Sequence, residues 1–161
     1  MAAFDMAGTW AGEYAYDPIP NSSLELPTVR FTLHAEIGWF GHLSGTVHDD
    51  PQRGLPVPAT IDGKVAGTHV TFQKQYPVFF VTNGERSIML SESLEAQGIV
   101  MDEEILPAPV RYRGEYDPDT MEIHGTWEIG PRRVTFRSRG QLLGFNMPGM
   151  QGTWWMRRQY K

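Results

Sequence analysis

Two basic residues stand where a strand pattern places apolar ones. In "HVTFQKQY", residues 69–76, Lys74 follows Val70 and Phe72 on one parity and precedes Tyr76; in "GTWWMRRQY", residues 152–160, Arg158 follows Trp154 and Met156. A charge on an inward face is costly unless it is paired or stacked. For Arg158 the expected partner is an indole, Trp10 or Trp154, since a guanidinium over a tryptophan face gains about 0.5–2 kcal/mol. Two readings stay open for Lys74: an ammonium reaching solvent at a strand end, or an anchor for an anionic group inside a cavity.

Other groups that could do chemistry carry weaker patterns. His34, His42, His48, His69 and His124 show neither the i, i+2 spacing that puts two ligands on one strand face nor a helical HExxH. They are expected to face solvent, and no metal ligand is assigned. "SESLE" (91–95) and "VHDD" (47–50) combine groups found in hydrolytic sites, yet neither contains a nucleophile elbow. No catalytic residue is assigned. Glu13 and Glu115, opposite the apolar parity, are read as surface ion-pair partners.

The elements that would position these groups repeat every two residues, with turns of Gly, Pro, Asn and Asp between them. Eight runs stand out: 9–16, 29–37, 42–49, 59–65, 69–76, 110–116, 121–129 and 152–160. "VAGTH" and "DPDT" read as hairpin turns. The expected fold is all-β: an eight-stranded antiparallel up-and-down barrel in one domain, residues 1–161, with one long insertion at 83–107. Closure removes the exposed edges of an open sheet; a two-sheet sandwich is the alternative. Gly12, Gly45, Gly63, Gly114 and Gly125 fall mid-strand on the inward parity, where bends or close backbone approach use glycine.

Residues 85–104 hold six acids and one base, a net charge of −5 that equals that of the whole chain. Interleaved Ile88, Met89, Leu90, Leu94, Ile99, Val100 and Met101 predict a short helix near 91–97 or an added hairpin, folded over one barrel mouth. A second departure, 130–150, carries Arg132, Arg133, Arg137 and Arg139 and is expected to pair with the acidic insertion.

The inward parity is aromatic: Tyr14, Phe31, Phe72, Tyr76, Tyr112, Tyr116 and Trp127 share it. These rings either fill the barrel or line a space for one small ligand. Inward glycines leave volume, and the tyrosines, Tyr16 included, bring hydroxyls, which favours a cavity. The predicted ligand-binding set is Trp10, Tyr14, Phe31, Phe72, Lys74, Tyr112, Trp127 and Arg158.

Gly8 and Trp10 in a Gly-x-Trp on the first strand, the meander, and Arg157 or Arg158 on the last strand resemble the calycin barrels: lipocalins, fatty-acid-binding proteins and the avidin group. The resemblance implies a barrel with a ligand-sized cavity. It does not extend to the biotin-binding residues of the avidin group or, without cysteine, to the lipocalin disulfides.

Composition sets the remaining expectations. With 40% hydrophobic and 20% charged residues the chain folds into a globule. A net charge of −5 disfavours nucleic acid. There is neither an apolar run of membrane length nor a signal-like start, so the expected location is cytoplasmic, with no membrane partner. The expected function is binding of a small apolar or aromatic ligand; no cofactor is named. The alternatives are an isomerase- or cyclase-type enzyme using a tyrosine and Lys74 as acid and base, and a homo-oligomeric interaction module built on 83–107 and "GFNMPGM".

Overall fold

In a computed structural model the structure describes residues 4–18, 26, 28–83 and 86–160, with backbone alone for Thr82, Asn83 and Arg86. Part of the predicted insertion, Gly84 and Glu85, lies outside the described residues.

All eight predicted runs form strands of one closed barrel: β1 (Gly8–Tyr16), β2 (Val29–Ile37), β3 (His42–Asp49), β4 (Ala59–Ala66), β5 (His69–Gln75), β8 (Val110–Asp117), β9 (Glu122–Ile129) and β12 (Met150–Arg158). Neighbours run antiparallel in the order β1-β12-β9-β8-β5-β4-β3-β2, and β2 returns to β1. The first and last strands meet with Trp10 opposite Arg158 and Tyr14 opposite Trp154. The period-two pattern dictates this result, because only closure buries one face of every strand without leaving an edge.

The inward parity forms the core. Trp10, Leu33, Leu43, Val70, Ile123 and Met156 are fully buried there, with Tyr14, Phe31, Phe72, Tyr112, Trp127 and Trp154 packed among them. The glycines do not leave this space open. A Cβ on Gly114 would stand 2.5 Å from the Trp154 indole, so the ring occupies the volume that the glycine vacates. Phe72 stacks on Tyr112 at 4.8 Å, and Trp154 meets both edge-on. The expectation of unfilled volume at the inward glycines is thus corrected: neighbouring strands and rings take it up.

The two ends differ. At one, the N-terminal segment inserts as a plug: Met6 is buried, and Phe4 stacks on Tyr116 and meets Trp10 edge-on. At the other lie Tyr16, Asp49, the end of β5 and the start of β8, and here both non-barrel segments leave the sheet. The first contains β6 (Phe80–Asn83), β7 (Arg86–Met89) and α1 (Leu90–Glu95), so the predicted hairpin and helix both occur. The second is a hairpin of β10 (Arg132–Ser138) and β11 (Gln141–Met147). Together they build a separate apolar cluster, with Phe79, Leu90 and Leu94 from the first and Val134 and Phe136 from the second.

The expected pairing between these segments takes an unforeseen form. The Asp102 carboxylate accepts backbone N–H bonds from Arg139 and Gly140 at 2.8 and 2.9 Å, and the Asp102 N–H donates to the Arg137 carbonyl. Among the described residues no guanidinium of Arg132, Arg133, Arg137 or Arg139 reaches a carboxylate. At the tight turn of β10–β11, where Arg139 and Gly140 both take positive φ, the two N–H groups converge on one acceptor. Among the described residues no helix is long and apolar enough to cross a membrane.

Candidate functional site

Lys74 is 2% exposed and Asp49 7%, the two buried charged residues among those described. Lys74 ends the inward parity of β5 and Asp49 that of β3, so the strand geometry sends both side chains into the barrel across the intervening β4. Lys74 Nζ donates to Asp49 Oδ1 at 3.0 Å. The other carboxylate oxygen accepts from two phenols, Tyr14 at 3.1 Å and Tyr76 in a short hydrogen bond. Neither reading of Lys74 from the sequence had named Asp49: the ammonium is neither solvent-bound nor free to anchor an anion alone.

Rings enclose the ammonium on its remaining sides. Nζ lies 4.7 Å from the Tyr14 centroid, 4.8 Å from that of Tyr76 and 5.8 Å from that of Tyr112. These aromatic faces offer partial negative charge to a desolvated cation. Burial pulls the Lys74 ammonium below the usual lysine range, while the Asp49 charge and hydrogen bond pull it back up. Burial, with Asp49 adding to it, raises the phenols of Tyr14, Tyr16 and Tyr112 above their ordinary range. Tyr76 is likewise raised, by burial first and then by its phenol and carboxylate neighbours. All four therefore remain neutral donors at neutral pH. The arrangement is an amine, a carboxylate and a set of protonated phenols held in a dry site.

The predicted ligand-binding set divides between the two ends. Tyr14, Phe31, Phe72, Lys74, Tyr112 and Trp127 belong to the end that bears the insertions or to the centre, all of them buried. Trp127 packs edge-on against Tyr14 and Tyr16 and donates its indole N–H to the Ala15 carbonyl at 3.0 Å. Trp10 and Arg158 stand at the plugged end. The Arg158 guanidinium lies 4.8 Å over the Trp10 ring and donates to the carbonyls of Asp5 and Ala7, while the Trp10 indole donates to the Met6 carbonyl. Arg157 instead points outward to Glu122 at 2.9 Å.

Sequence reasoning missed Asp49. The signal is present, since Asp49 continues the parity of Leu43, Gly45 and Val47, but "VHDD" by itself points only to groups found in hydrolytic sites. The five histidines are exposed, as expected, and Glu13 pairs with Arg30 at 3.2 Å. Outside the barrel, Asp17, Arg111, Arg113, Thr126, Trp127, and Gln151 border a cleft of about 230 Å³. Compared with protein-family models, curated proteins and solved structures, the chain matches none.

Proposed function

We propose that the protein binds a small apolar or aromatic molecule at the end of the barrel that bears the insertions, with Lys74 meeting the ligand's polar group. The observation that carries this reading is the Lys74–Asp49 pair. Desolvating two charges costs several kcal/mol per ion, and a well-packed apolar pair in its place is often more stable. A cluster of this kind, placed where both insertions leave the barrel, has the marks of a site kept for function. Because rings fill the centre, the ligand body lies against the half-buried Tyr16 and Tyr76 and the edge of Trp127, not deep on the barrel axis. Trp10 and Arg158 serve closure of the opposite end.

A calycin relationship is part of this proposal. It is supported by the closed antiparallel meander and by the Gly8–Trp10–Arg158 arrangement at the plugged end. Gly8 takes φ +126°, a backbone conformation that favours glycine, and a Cβ there would press on the Arg158 guanidinium tip at 2.7 Å.

Tryptophan fluorescence titrated with fatty acids, retinoids, haem and aromatic acids tests the reading. A saturable change with at least one class, weakened in Lys74→Met, is expected. Flat titrations throughout would contradict it.

A further inference from the structure

Lys64, Lys74 and Lys161 are the chain's lysines, against eleven arginines. In a chain that mostly uses arginine, the basic residue sealed in the barrel among those described is a lysine. Arginine is the better buried ion-pair partner, whereas lysine is the residue whose amine can be freed and made nucleophilic by a dry environment. Lys74 Nζ has a carboxylate at 3.0 Å, and that carboxylate in turn holds two phenols. From this geometry we infer that Lys74 forms an imine with a carbonyl compound, an aldehyde or ketone with an apolar or aromatic body, and that Asp49 carries the protons. The inference rests on the proposed ligand site and names its substrate class.

The steps balance within the site. The ammonium passes one proton to Asp49, and the freed amine adds to the carbonyl carbon. The carbonyl oxygen takes up the proton lost by the nitrogen and becomes the carbinolamine hydroxyl. Asp49, now a carboxylic acid, protonates that hydroxyl, which leaves as water while the nitrogen lone pair forms the C=N bond. The product is a protonated imine beside an Asp49 carboxylate. Charge distribution is then the same as at the start, a nitrogen cation 3.0 Å from a carboxylate and faced by the Tyr14, Tyr76 and Tyr112 rings. The surroundings that stabilise the ammonium thus stabilise the imine cation as well.

The full-length protein, treated at neutral pH with cinnamaldehyde and sodium cyanoborohydride, tests this by peptide mapping of the reduced adducts. Lys74 should be alkylated at least about tenfold faster than the exposed Lys64, since a positioned acid–base group such as Asp49 contributes on the order of 10²-fold. In guanidinium the two should react alike. Asp49→Asn should slow the Lys74 adduct by about 10²-fold, the contribution of a positioned acid–base group. Tyr76→Phe, which keeps the ring, should slow it less. Adducts on Lys64 with none on Lys74 in the folded wild type would overturn the inference, whether or not the Asp49 variant folds. Fluorescence with cinnamyl alcohol separates the two ideas: saturable binding without a Lys74 adduct sinks the imine alone, and absence of both sinks the ligand site too.

Discussion

Lys74 Nζ and Asp49 Oδ1 meet at 3.0 Å across the interior, from two strands that share no edge. The ion pair therefore ties β3 to β5 over the top of β4 and fixes the positions of Tyr14 and Tyr76. Removing one partner leaves the other buried without its counter-charge. Lys74→Met and Asp49→Leu should each lower stability by about 3–5 kcal/mol, and the double variant by less than either single one. Urea unfolding of the four proteins measures this. Additive losses would contradict a pair that is costly in itself.

Gly8 and Arg158 make a second coupled pair at the plugged end. Gly8→Ala places a Cβ against the guanidinium at a φ that only glycine adopts easily, and should cost about 1–3 kcal/mol. In an Arg158→Ala background the steric part of that cost disappears, so the two losses should be less than additive. Thermal unfolding of the single and double variants reads it.

Much of this architecture is legible in the sequence. Strand parity alone placed Trp10, Leu33, Phe72 and Trp127 inside, since a one-residue slip would expose every one of them. The same parity carries Asp49, but an acid at the end of an apolar run has no visible role until its partner strand is known. Lys74 supplies that partner only through the closed order β3-β4-β5, a long-range fact. The filling of space over Gly114 by Trp154 was equally hidden, because it depends on which rings lie across the barrel. The Asp102 contact escaped for a different reason: charge counting suggests guanidinium pairing, whereas the turn geometry at Arg139 and Gly140 offers backbone donors instead.

Asp102 is held below the usual carboxylate range by the Gly140 and Arg139 N–H groups. A depressed folded-state pKa contributes stability that is present above the unfolded value and lost as pH falls through the folded one. Acidification should therefore loosen the β10–β11 turn before the barrel. Amide exchange at Arg139 and Gly140 should quicken in Asp102→Ala at neutral pH, with core amides of β9 and β12 unchanged. Unchanged exchange at the turn would show that the carboxylate does not hold it.

The four phenols of the site supply the opposite sign. Their folded pKa values lie above the ordinary value near 10, so the stability they contribute is complete below that pH and is lost as pH rises beyond it. Absorbance at 295 nm should show Tyr14, Tyr16, Tyr76 and Tyr112 ionising together with loss of the near-ultraviolet circular dichroism. Ionisation of all six tyrosines near pH 10 with the fold intact would contradict a dry site.

A crystal structure with the tightest ligand from the fluorescence panel tests the central claim most directly. The ligand's polar atom should lie within hydrogen-bond distance of Lys74 Nζ or be joined to it, with Tyr76 displaced from Asp49. Ligand density confined to the outer cleft by Arg111 and Arg113, with the Lys74–Asp49 pair unaltered, would contradict it.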